Sequence, residues 1–214
     1  SGKPEAVRPS VGFFFTDIPP TRRPMDFRLG SKTIDIPAGA SAYTIEDSYV
    51  LPVDVDALSV YPHAHYLAKD MKAFATRPDG TLAWLVWIKD WDFRWQDQYR
   101  YATPVFLPTG TTLTMRYTYD NSAGNARNPH HPPQRVVYGP LSSDEMGDLW
   151  LRLLPRTSAD ADTLARSYVD NELRKNIAAA ERMISEHPRE AKWRNELGAR
   201  YLEAGRVQEG TLQL

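Results

Sequence analysis

Sixteen of the 17 prolines of this chain lie at or before Pro155. Proline brings no N–H to a backbone ladder and breaks helix interiors, so it is confined to turns, strand edges and bulges. A chain that scatters proline this way is barred from long helices over its first 155 residues and is left with short strands joined by turns. Beyond Pro155 only Pro188 remains, and long helices become possible there.

The apolar pattern agrees with that division. Val11 to Phe15 is a short apolar run. Tyr43 to Val53 follows the turn signal Pro37-Ala38-Gly39, and Leu82 to Ile88 follows Arg77-Pro78-Asp79-Gly80. Ala57 to Pro62 and Leu149 to Leu154 are further strand-like runs. Thr111 to Tyr119, after the turn Leu107-Pro108-Thr109-Gly110, alternates cleanly: Leu113, Met115, Tyr117 and Tyr119 share one face and Thr112, Thr114, Arg116 and Thr118 the other. That is the period of a half-buried strand. Many short strands with regular turn signals predict a mainly β fold, an antiparallel jelly-roll β-sandwich over residues 1–156.

From about residue 157 the spacing becomes helical. Ala159 to Glu186 reads as one helix, stopped by His187-Pro188, and Arg189 to Ala204 as a second, ending at Gly205. Residues 157–214 are therefore predicted to form a short α-helical hairpin. Leu197-Gly198, Tyr201 and Gly205, with Pro188 before them, resemble the first helix of a tetratricopeptide repeat. A lone repeat cannot bury its own apolar face, so this part either packs on the β domain or continues further. The start, Ser1-Gly2, reads as an internal cut or cloning remnant, and the chain as a piece of something longer.

Composition removes several function classes. Lys plus Arg is 26 against 27 for Asp plus Glu, a net charge of −1, with no basic run to serve as a nucleic-acid surface. No apolar stretch approaches the roughly 18 residues of a membrane span. There is no cysteine, which excludes disulfides, thiol chemistry and Cys-based metal sites. A Gly-rich phosphate loop and a Gly-x-Ser-x-Gly elbow are also missing. Asp90 and Asp92 could be imagined as paired acids, but glycosidase work needs two carboxylates facing across a cleft. Trp91, Phe93 and Trp95 read as core and edge aromatics of a strand.

Chemistry concentrates at histidine. Of five His, two form His63-Ala64-His65 at the end of an apolar run. On a strand, residues two apart share a face, roughly 6.5–7 Å apart along it, so both imidazoles can reach one metal. Downstream, Ser142-Ser143-Asp144-Glu145-Met146 precedes another strand-like run. Two imidazoles and a thioether make a soft, open three-ligand site that favours copper(I). The plainer readings are a half-exposed structural His pair and a core methionine.

These segments resemble the C-terminal catalytic domain of the copper type II, ascorbate-dependent monooxygenases, such as peptidylglycine α-hydroxylating monooxygenase. That domain carries His-x-His-x-Leu-Gly-Lys and, later, Ser-Ser-Asp-Glu-Met. Here the counterparts are His63-Ala64-His65-Tyr66-Leu67-Ala68-Lys69 and Ser142-Ser143-Asp144-Glu145-Met146, and the similarity spans roughly residues 40–155. The resemblance implies a jelly-roll sandwich holding one copper ion on His63, His65 and Met146, where oxygen is activated to hydroxylate a C–H bond. It also implies an extracytoplasmic place, periplasmic or secreted. The segments Asp90 to Gln96 and Tyr119 to Ser122 are similar to uncharacterised bacterial relatives, which often carry redox domains and helical repeats.

The departures are informative. The motif's Gly is Ala68. The positions that hold the peptide carboxylate in the family, an Arg, an Asn and a Tyr, are Tyr61, Asp148 and Trp150 here. A cation is exchanged for a carboxylate, which predicts that peptidyl-glycine is not the substrate and that a neutral or cationic group meets an aromatic wall. The family's second copper sits on three His in a separate domain. Residues 1 to about 40 are too short for it and hold no His. His130-His131 lies in a Pro-rich run that reads as a solvent-facing loop. An electron donor or a second redox domain is therefore expected, and a protein partner for the helices. Two competing expectations are a non-catalytic scaffold module and a carbohydrate-binding sandwich using exposed Trp.

Overall fold

The computed structural model describes residues 6 and 8–213, so Ser1-Gly2 lies outside the described residues. The chain runs β1 (Met25–Gly30), β2 (Asp35–Ile36), β3 (Tyr43–Val50), β4 (Val55–Ala64), β5 (Ala68–Thr76), β6 (Leu82–Ile88), β7 (Tyr99–Leu107), β8 (Thr112–Tyr119), β9 (Val136–Val137) and β10 (Gly147–Pro155). Three helices follow: α1 (Ser158–Glu186), α2 (Ala191–Glu203) and α3 (Val207–Gln213). The expected antiparallel sandwich forms. One sheet has the order β1-β10-β4-β7 and the other β3-β8-β5-β6, with β2-β9 as a small two-stranded addition.

Period-2 patterning explains which side of each strand is dry. Leu113, Met115, Tyr117 and Tyr119 on β8 are all fully buried, as their alternation predicts. Leu149, Leu151 and Leu153 on β10, Phe27 and Leu29 on β1, and Val60 and Ala64 on β4 meet them between the sheets. The outer face of the first sheet is the other half of the alternation: Asp26 and Arg28 on β1, Asp148, Trp150 and Arg152 on β10, and Ser59, Tyr61 and His63 on β4. That outer face carries the candidate site.

Helix α1 is started by a capping box in which Thr157 and Asp160 exchange side-chain and backbone bonds, and His187 forms its C-cap before Pro188. Its first half belongs to the sandwich. Leu164 joins the main core, and the Tyr168 ring packs tilted against Phe27 with centroids 4.3 Å apart, across the edges formed by β1 and β3. Tyr49 Oη donates to Ser167 Oγ at 2.8 Å, and just past the middle of the helix Lys175 Nζ still reaches Asp47 at 2.7 Å. Its second half packs with α2 in a separate small core of Ile177, Ala180, Leu197 and Tyr201. Where a hairpin of two helices was expected there are three.

Two further expectations are corrected. Val11–Phe15 forms no strand: it is exposed throughout, because no sheet edge takes it up. Trp91 to Trp95 is a loop between β6 and β7 rather than a strand.

Candidate metal centre

His63 sits on the outer face of β4 and His65 just beyond its end, their ring centroids 5.3 Å apart at 84°. Gly147 pairs with Ala64 at the end of the β4–β10 ladder, and the adjoining Met146 and His65 both donate their backbone N–H to Glu145 Oε1. The structure therefore brings together the two sequence segments that carry the three expected ligands.

Glu145 makes that junction. It is fully buried and faces no cation within ion-pair distance among the described residues. Its Oε1 accepts from the backbone N–H of His65 and, at 2.9 Å, of Met146, and its Oε2 accepts from Leu67 N–H at 3.0 Å. One carboxylate thus ties the His-x-His turn to the methionine. Burial pushes its pKa up to about 7, against the pull of those N–H donors. From the other side of the core, Tyr119 Oη donates to Met146 O and Tyr117 Oη to Asp148 O, both at 3.0 Å. Two of the β8 residues that alternate inward therefore pin the backbone at the start of β10. Gly147 is required between them, because a Cβ there would collide with Ile45 and the Tyr119 hydroxyl.

The hydrogen bonds fix both imidazoles in one tautomer. Gln96 Nε2 donates to Phe93 O at 2.9 Å, which turns its Oε1 toward His63 Nδ1, 2.6 Å away. His63 Nδ1 must then carry the proton. His65 Nδ1 lies 3.1 Å from Asp144 O, an acceptor only, and carries one too. Each ring therefore keeps its Nε2 lone pair for a ligand. The tied Nδ1–H is the arrangement that orients metal-binding histidines. Burial lowers the pKa of His65 and favours its neutral form. Trp91, buried, donates Nε1–H to His65 O at 3.0 Å, and Phe93 packs edge-on at 5.5 Å from the His65 ring. Gln96 closes the Asp90 to Gln96 segment noted for its resemblance, but nothing in the sequence pointed to it as the partner of His63, 33 positions away.

The donor set fits a soft metal: two imidazole nitrogens with free lone pairs and a half-buried thioether. Among the described residues there is no group of three or more His, Cys, Asp or Glu that could hold a metal.

The neighbouring residues are rearranged relative to expectation. Asp148 does lie opposite His63, but its carboxylate turns to Arg28 at 2.5 Å, with side chains only 17% and 7% exposed. A cation missing from the expected position returns from β1, and the corner is a neutral buried pair rather than a free negative charge. Tyr61 and Trp150 are cross-strand partners on the outer face, and Trp150 is 43% exposed. His131 is exposed, as a solvent-facing loop requires, whereas His130 is half-buried, its Nε2 3.3 Å from Ser143 O beneath the Ser142–Met146 loop. Asp90 and Asp92 are each paired, to Arg127 at 2.8 Å and to Arg94 at 2.9 Å, and do not form a catalytic couple.

No protein-family model matches this chain, and no curated protein matches it. Among solved structures it is similar to the infectious bursal disease virus VP2 subviral particle, at 11% identity and a TM-score of 0.32, over 66% of this chain and 35% of that one. A structure of the Gx strain of that virus is similar at 11% identity and a TM-score of 0.31, over 64% of this chain and 33% of that one. The chain spans about a third of the length of these structures. Likeness at this distance bears on neither the site nor its chemistry.

Proposed function

We propose that residues 1–156 are a copper-binding domain of the monooxygenase type, part of a larger redox protein, with one copper ion on His63, His65 and Met146. The single observation that carries the reading is the pair of Nδ1–H bonds, His63 to Gln96 and His65 to Asp144 O, which leave both Nε2 lone pairs free on a turn that Glu145 ties to Met146. A copper ion held there supplies oxygen activation for hydroxylating a C–H bond, with electrons from a separate donor or redox domain. The protein's own part is to hold the ligands still through Glu145 and to flank them with the Tyr61–Trp150 pair. Such proteins act outside the cytoplasm, in the periplasm or secreted. No helix among the described residues is long and apolar enough to cross a membrane.

The C-terminal helices are proposed to recruit a protein partner as a partial tetratricopeptide-like unit over residues 157–214. The support is a close α2–α3 crossing in which a Cβ on Gly210 would meet Gly198 O at 3.0 Å. A second reading, a non-catalytic scaffold, is favoured by one fact: Glu145 ties the His-x-His turn to Met146 through three bonds to the chain's own backbone N–H groups.

Copper(I) titration against a coloured chelator separates the two. The first reading expects one ion per chain, with His63→Ala and Met146→Leu each weakening it, and Met146→Leu sparing zinc(II). Binding that ignores both substitutions overturns it.

A further inference from the structure

Strand β7 leaves its partner β4 in the middle of the ladder. Val105 pairs with Ala57 and Arg100 with Ser59, so four residues on β7 stand against Leu58 alone. The bulge opens a crevice of about 460 Å³ on the sheet, lined by Leu58, Ser59, Gln98, Arg100, Tyr101 and Arg152 among others. Bulges of this kind re-aim side chains and end pairing.

The crevice is polar on one side and cationic. Arg100 is exposed and meets no carboxylate within ion-pair distance among the described residues. Arg152 adds a second guanidinium, already shared with Asp26 at 2.8 Å. Gln98 Nε2 donates to Ser59 Oγ at 2.8 Å, which leaves the Ser59 O–H free to donate elsewhere. Two guanidiniums and a hydroxyl make an oxyanion receptor.

Its position matters more than its charge. Ser59, Tyr61 and His63 alternate onto the same outer face, and their β10 partners are Arg152, Trp150 and Asp148. The crevice and the His pair are thus two ends of one strip, roughly 13 Å apart at 3.3 Å per residue. The Tyr61–Trp150 aromatic pair lies between them.

We propose that this strip binds an aromatic or aliphatic carboxylate, its anion on Arg100 and Ser59 and its apolar body along Tyr61 and Trp150 toward His63. The orientation toward His63 rests on the copper reading above; the anion subsite does not.

The test uses metal-free protein and two probes, 4-phenylbutyrate and its neutral analogue 4-phenylbutanol, titrated by NMR. The expected result is that the carboxylate binds more tightly than the alcohol. Arg100→Gln should weaken the carboxylate about tenfold, the loss of one charge-assisted pair, and leave the alcohol alone. Arg116→Gln, an exposed arginine on the other sheet, should change neither. Equal binding of the two probes, or an Arg100→Gln variant that binds like the parent, overturns the proposal. With copper(II) added, the phenyl protons should broaden more than the methylene next to the carboxylate. Uniform broadening overturns the orientation. A chain that takes up no copper while the metal-free titration succeeds refutes the redox reading alone.

Discussion

Removing Glu145 should unfasten the site and much of the fold's margin of stability. In Glu145→Ala the N–H groups of His65, Leu67 and Met146 lose their acceptor in a place closed to solvent. A buried donor left unmet costs roughly 1–3 kcal/mol. Water entering the vacated space recovers part of that, so the expected loss is roughly 3–6 kcal/mol, a large share of a typical domain's 5–15 kcal/mol. Glu145→Gln keeps an oxygen for His65 and Met146 but points an amide NH2 at Leu67 N–H, for a smaller cost of roughly 1–3 kcal/mol. The assay is urea unfolding of the metal-free protein at several pH values. The folded pKa of Glu145, about 7, stands above the ordinary glutamate value of 4.5. The folded state therefore binds the extra proton, and this group's contribution makes stability fall as pH rises from about 4.5 to about 7. His65, whose pKa is lowered, works in the opposite sense, its contribution rising as pH climbs toward its ordinary value. The parent minus Glu145→Gln isolates the carboxylate. An Ala variant within about 1 kcal/mol of the parent, well below the cost of even one stranded donor pair, would refute the clamp. An unchanged pH slope in Glu145→Gln would refute the raised pKa.

Other outcomes follow from the same geometry. Gln96→Leu frees the His63 ring and should lower copper(I) affinity roughly 10–100-fold with little change in the unfolding midpoint, read by chelator competition. Arg28→Leu strands Asp148 and should cost roughly 3–5 kcal/mol in denaturant unfolding. Arg28→Leu with Asp148→Leu should recover most of it, and a double variant no better than the single would contradict a buried ion pair. Gly147→Ala drives a methyl group into Ile45 and the Tyr119 hydroxyl and should cost roughly 1–3 kcal/mol in thermal unfolding.

The residues that declared themselves in the sequence are those whose role is periodic or clustered. The alternation in β8 named its buried face, including the tyrosines that turn out to hold Met146 and Asp148. The His-x-His and Ser-Ser-Asp-Glu-Met segments were visible as local clusters beside strand-like runs, while the pairing of those runs into one ladder came only with the structure. What stayed hidden was set by tertiary partners. β1 alternates over only six residues, Met25, Phe27 and Leu29 against Asp26 and Arg28, too short a run to stand out until β10 pairs with it. Val11–Phe15 has the stronger apolar run and no partner, so it is no strand. Asp148 looked like an unpaired charge because Arg28 lies 120 positions away. Gln96 and the Glu145 clamp depend on loop geometry that leaves no spacing rule in the chain.

X-ray absorption at the copper edge of copper(I)-loaded protein is the most direct test of the central claim. The account predicts a sulfur scatterer at about 2.3 Å, the usual metal–sulfur range, beside two imidazole nitrogens, with the sulfur lost in Met146→Leu and the imidazole signal halved in His63→Ala. A copper shell without sulfur, or one unchanged by either substitution, would contradict it.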